Sequence, residues 1–261
     1  MPKLSAGKLV LSIDLELNTD ALDLIQEQSL EALHIRLMEV MASFDVAATW
    51  AVSDPAVSAA TDRILAAAQP HEIAVLGDST WVGHSAGRGR FARELSRRVL
   101  GARSAGLPIT TLALRNVALD DHSDLVVKNG LTVVREGIAS ADGRAQAKEQ
   151  SGLPALHYGL WSLPPTLLLP QASGWLPGSW RLRRRLEGCI ARSELLHVVV
   201  DAPHMLRVGS SSERQLASLL EHASLRRRQG RLQIETLAQA ASQLVGGRRV
   251  SSARSILKSA A

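Results

Sequence analysis

The stretch from Lys8 to Asn18, Lys-Leu-Val-Leu-Ser-Ile-Asp-Leu-Glu-Leu-Asn, constrains this chain more than any other. Successive side chains of a strand point to opposite faces, so Leu9, Leu11, Ile13, Leu15 and Leu17 share one apolar face, and Val10, Ser12, Asp14 and Glu16 share the other. Asp and Glu are depleted in strands and costly to bury without partners. A first strand carrying two acids on one face therefore needs a cation, a metal ion or open water at that end. The bland alternative is that the strand stops before Asp14 and leaves both acids solvated.

Beyond this strand the chain alternates regularly between helical and extended patterns. Leu30, Leu33, His34, Leu37, Met38 and Met41 recur at helical spacing, and His34 on that stripe reads as a core histidine. Strands are expected at Val46 to Val52, Glu72 to Leu76, Ile109 to Leu114, Leu131 to Arg135, Leu156 to Leu160, Leu195 to Val200 and Leu232 to Ile234. Helices are expected after Pro55 to Ala68, over Arg90 to Ala105, Asp120 to Lys128, Arg181 to Ser193, Glu213 to Arg228 and Leu237 to Val245. Residues 137–152 read as a polar excursion. The stretch Trp161 to Trp180 holds three tryptophans and four prolines, too many breakers for a regular helix. It reads as a long loop that either walls a binding site or pins itself to the core.

With 46% hydrophobic but only 3% aromatic residues, the core must be built from Leu, Val, Ile and Ala, which suits parallel strands covered by helices. No Gly-x-Gly-x-x-Gly follows the first strand, so the repeated β-α units point to a (β/α) barrel of about seven parallel strands rather than a dinucleotide fold. The expectation is one barrel domain over residues 1–245 and a basic, flexible tail over 246–261. In such barrels chemistry gathers where strands end. The residues there are Asp14 and Glu16, Trp50, Asp78, Arg115, Arg135 with Glu136, and Asp201 with His204.

The net charge of +5 and pI near 10.0 arise partly from clusters at Arg181 to Arg185, Arg226 to Arg228 and Arg248 with Arg249. Such runs are usually solvated helix faces, and no ladder of stacking aromatics accompanies them, so a nucleic-acid partner is not expected. The lone cysteine, Cys189, excludes an intramolecular disulfide and a multi-cysteine zinc site. The acids interrupt the first apolar run, so it reads as a strand and not a signal peptide, and no stretch is long and apolar enough to span a bilayer. The cytoplasm is the expected compartment.

Several strand ends, in order, resemble the polysaccharide deacetylases with the NodB-homology domain. Leu11-Ser-Ile-Asp-Leu-Glu16 looks like the family's opening motif with its two acids spaced by one residue, and Ala48-Thr-Trp-Ala-Val52 is similar to the second strand. His71-Glu-Ile-Ala74 resembles the lead-in to the histidine motif, Arg115-Asn116 the arginine motif, and Asn129-Gly-Leu131 through Arg135 the next strand. Ala202-Pro-His-Met-Leu206 resembles the late histidine motif, so the resemblance spans about Lys8 to Val245.

That resemblance implies a distorted (β/α) barrel, an N-acylated sugar or related glycoconjugate as substrate, and hydrolysis of its C–N amide bond by a metal-bound water. By matched position, Asp14 would be the base, Glu16 a metal ligand, Arg115 the group orienting the base and His204 a candidate acid; Trp50, Asn116, Trp161 and Asp201 are the candidates for contact with the sugar. Three positions depart from the pattern: Leu76 and Thr80 stand where the family places its metal-binding histidines, and Ala202, just after Asp201, where its late motif begins with a histidine. Asp78 and His84 on the same loop could substitute, forming an oxygen-rich site for magnesium or manganese in place of zinc. Alternatively no metal binds, and Arg115 forks across Asp14 and Glu16. Two functional readings thus remain, an amidohydrolase with a rearranged site and an inactive barrel that binds a glycan or a protein.

Overall fold

The computed structural model describes residues 6–15, 24–83, 86–119, 121–137, 155–170 and 178–244. Its organising element is the first strand, β1 (Gly7–Asp14). Over Lys8 to Asp14 it pairs in parallel with β9 (Leu195–Asp201). On its other edge it changes partner, pairing first with β10 (Leu232–Glu235) and then, from Ser12 onward, with β2 (Thr49–Val52). From β2 the sheet continues through β3 (Glu72–Gly77), β4 (Thr111–Leu114), β5 (Val133–Arg135) and β7 (Leu160–Ser162), while β8 (Leu167–Leu169) lies beyond β9. Every pairing is parallel except that of β6 (Ala155–His157) with β7. The result is the distorted (β/α) barrel, its sheet ending at β6 on one side and β8 on the other.

Residue parity decides what faces the helices. Leu9, Leu11 and Ile13 of β1, Trp50 and Val52 of β2, and Ile73 and Val75 of β3 pack outward against α1 (Leu24–Ser43), α3 (Arg88–Ser104), α5 (Gly178–Arg192) and α7 (Ser210–Arg228). The helices meet them with one apolar stripe each: Phe91, Leu95, Val99 and Ala102 on α3, and Leu182, Leu186, Cys189 and Ile190 on α5. Each fully buried Leu or Ile contributes about 1.5–3 kcal/mol relative to exposure. The opposite parity fills the lumen. Ala51, Ala74, Leu76 and Ala113 form its upper wall, and Val10, Val133, Trp161 and Leu163 close on the last helix, residues 237–244, which plugs the floor.

Three departures from the sequence reading have local causes. The strand expected at Leu156 to Leu160 is a hairpin, because Tyr158 (φ 52°) and Gly159 (φ 85°) both adopt the left-handed conformation of a tight two-residue turn. The expected loop from Trp161 to Trp180 contains part of β7, all of β8 and the first turn of α5; its prolines bracket Leu167–Leu169 rather than abolish it. After β9 the chain forms a further helix, α6 (Ala202–Val208), capped by the Asp201 carboxylate accepting from the His204 backbone N–H, with Pro203 in the first turn. The excursion at 138–154 and the tail at 245–261 lie outside the described residues. Among the described residues, no helix is long and apolar enough to cross a membrane.

Candidate functional site at the barrel mouth

At the C-terminal ends of β1 and β9, Asp14 and Asp201 are register partners, so two carboxylates stand side by side and face the same way. Each meets a different arginine. Arg135, at the end of β5, reaches across the lumen and forks onto Asp14, with Nη1 donating to Oδ1 at 2.6 Å and Nη2 to Oδ2 at 2.9 Å. The alanines of the upper wall leave room for that reach. Both side chains are buried, at 1% and 4% exposure. The remaining Nη protons of Arg135 go to Ser12 Oγ at 3.3 Å and the Leu114 carbonyl at 2.9 Å, while Nε has no partner among the described residues.

Below this pair the network continues to His197 on β9. Ser12 Oγ accepts from Arg135, so its own proton is free to donate to His197 Nε2, 3.0 Å away, and His197 Nδ1–H donates to the Pro164 carbonyl at 3.3 Å. One tautomer of the neutral ring satisfies every contact. Burial, and then the nearby Arg135 charge, push the His197 pKa down to about 3, so the ring is neutral at physiological pH.

Arg115, leaving β4, donates from Nη2 to Asp201 Oδ1 at 2.9 Å, and this oxygen also accepts the His204 N–H that opens α6. This second pair is at the rim, with 14% of each side chain exposed. The exit loops of β4 and β5 are held together by Gly137, where a Cβ would lie 2.6 Å from the Asn116 backbone nitrogen. Between Asp14, Arg115, Asn116, Arg135, Glu136 and Asp201 the mouth holds a small cleft of about 20 Å³.

The structure brings Asp14, Arg115, Asn116 and Asp201 together, and attaches His204 to the group through its backbone. It corrects the Asp14 half of the expected fork, since Arg135 grips Asp14 while Arg115 meets Asp201; the Glu16 half lies outside the described residues. Trp50 is not at the mouth, because its parity turns it outward into the layer between β2 and α1, fully buried. Trp161 is carried down to the floor of the lumen against Leu237 and Ala240. Asp78 accepts from the backbone and hydroxyl of Thr80 within its own turn and makes no contact with Asp14. Glu16 and His84 lie outside the described residues.

Sequence reading did not single out Ser12 or His197. The signal was nonetheless present, since Ser12 shares the parity of Asp14, and His197, Val199 and Asp201 lie on one face of β9.

Among the described residues the donor chemistry fits a divalent ion poorly. Both Asp14 oxygens are taken by a guanidinium, a second guanidinium stands at Asp201, Leu76 offers no donor, and Thr80 is engaged with Asp78. Among the described residues no three His, Cys, Asp or Glu side chains group as metal ligands. The described residues therefore do not form the zinc site that the resemblance implies.

No protein-family model and no curated protein matches the sequence. Solved structures do match in shape. A protein from Mycobacterium smegmatis assigned as a polysaccharide deacetylase superposes with a TM-score of 0.67 at 15% identity, covering 95% of this chain and 93% of its own. One from Pseudomonas aeruginosa PAO1 with the same assignment gives 0.64 at 12% identity, covering 90% and 89%. The 4-alpha-glucanotransferase of Thermococcus litoralis gives 0.62 at 12% identity over 92% of this chain but 40% of its own, so this barrel also serves a transferase. At such identities the likeness is one of fold, and this chain has the distorted (β/α) barrel of the polysaccharide deacetylases.

Proposed function

We propose that the protein is a deacetylase-type barrel of carbohydrate metabolism whose mouth engages an N-acylated sugar through paired aspartates and arginines rather than through a metal-centred donor set. The observation that carries this reading is the Arg135 fork, which occupies both oxygens of the carboxylate at the position of the family's base. A sugar presents hydroxyls that donate and an amide carbonyl that accepts. Carboxylates flanked by arginines offer both complements at once, and the rim pair Arg115 and Asp201, with Asn116 and Glu136 beside it, is the part open to solvent.

A second reading, hydrolysis of the C–N bond, is favoured by one specific placement. Asp14 faces inward at the end of the first strand, and the α6 turn bearing His204 is tied to the neighbouring Asp201. In that case Asp14 would take the proton of an attacking water.

Titration calorimetry with N-acetylglucosamine oligosaccharides, run beside an acetate-release assay, separates the two. The expected result is saturable binding that a chelator leaves unchanged, weakened about tenfold or more in Asp201→Asn, without acetate release. Acetate release that needs added zinc and disappears in Asp14→Asn would overturn the metal-free reading in favour of hydrolysis. Absence of binding would overturn both.

A further inference from the structure

Behind β2, on the side of the sheet away from the lumen, the Trp50 indole is flanked by two imidazoles. His34 of α1 lies 5.2 Å away and His71, just before β3, 5.6 Å away between ring centroids, both edge-on. The tautomers of both histidines follow from their neighbours. The Ala48 backbone N–H donates to His71 Nδ1 at 3.1 Å, so the ring's own proton is on Nε2. Arg63 Nη1 lies 3.4 Å from His34 Nδ1, and a guanidinium only donates, so His34 also carries its proton on Nε2. Burial lowers the pKa of both rings, that of His34 to about 4 with help from the Arg63 charge, which keeps them neutral near pH 7.

Three N–H groups, His34 Nε2, Trp50 Nε1 and His71 Nε2, are thus gathered around one indole. All three atoms are buried, and none has an acceptor among the described residues. Protein interiors pair nearly all such donors. The nearest carboxylate on α1, Glu31, is committed to Arg63. A metal ion would need ring lone pairs, and these already accept from Ala48 and Arg63. A water could accept two of the three protons but would bring two of its own that need acceptors. A ligand that only accepts satisfies the set.

We propose that His34, Trp50 and His71 form a site for a small monovalent anion of halide size, held by three N–H donors behind β2. The site adjoins the mouth through the sheet, since Trp50 is in register with Ile13 and the next residue, Ala51, with Asp14.

Crystals of the full chain soaked in bromide and measured at the bromine absorption edge test this directly. An anomalous peak among the three nitrogens is expected, whereas a non-anomalous water there, or empty density, overturns the proposal. In solution, exchanging gluconate for bromide at constant ionic strength should raise the Tm of the wild-type protein by about 3 °C, and that of Trp50→Phe, which keeps a ring but loses the N–H, by less than half as much. An equal rise in both proteins overturns it as well.

Discussion

The two ends of the lumen each hold carboxylates, and they treat them differently. At the floor, Glu72 accepts from Thr49 Oγ1 at 2.8 Å, from Thr111 Oγ1, and from the Ala238 backbone N–H at 3.0 Å. All three donors are neutral. Thr49 Oγ1 in turn accepts from the Leu237 N–H, and Thr236 and Gln239 satisfy one another's backbone N–H, so Glu72 pins the first turn of the last helix into the barrel. At the mouth, Asp14 and Asp201 are met by arginines, with a cleft between the pairs and one Arg135 N–H left over among the described residues. A carboxylate held by short fixed donors fastens two elements together. A carboxylate held by a long cation is matched in charge yet stays within reach of an incoming ligand.

If this contrast is right, the largest effect should come from the mouth. Arg135→Met leaves the buried Asp14 carboxylate without its cation and should cost about 3–5 kcal/mol in urea unfolding. A loss below about 1 kcal/mol would mean that water reaches Asp14 freely and that the fork is not what holds it.

Acidification comes next. The unfolded chain takes up a proton at His197 near pH 6.5 that the folded chain refuses until about pH 3. This contribution to stability is therefore complete above about pH 6.5 and is lost progressively as the pH falls towards 3, amounting to roughly 3 kcal/mol by pH 4. His34 adds to the same slope down to about pH 4. His197→Asn should flatten the pH dependence of the unfolding free energy, and an unchanged slope would remove His197 from the account.

The smallest effect is expected at the floor. Glu72→Gln keeps the shape but loses the charge in bonds to neutral donors, for about 1–3 kcal/mol. Hydrogen exchange should show the loss concentrated in residues 237–244, and a loss spread evenly over the sheet would count against the pinning role.

Much of this was legible from residue order. The alternation in Leu9 to Asp14 set the acid on the face opposite the leucines before any fold was known, and the spacing of Phe91, Leu95 and Val99 gave α3 its apolar side. The same rule of parity, applied to β2 and β9, would have turned Trp50 outward and found His197. Other features were hidden by chain reversals. The Tyr158–Gly159 turn splits one apparent strand in two, and a tripeptide strand between prolines carries too little periodicity to be seen.

The sequence by itself determined the strand-and-helix rhythm and the sharing of one face of β1 by Ser12 and Asp14, because these depend on side-chain identity and on a period of two or of 3.6 residues. Only the tertiary structure decided which arginine would hold Asp14. Arg115 and Arg135 both stand at strand ends, and nothing local distinguishes them. The curvature of the sheet sets β5 opposite β1, and the small side chains of Ala51, Ala74 and Ala113 leave the lumen open for a guanidinium to cross it, 121 residues along the chain from the acid it meets.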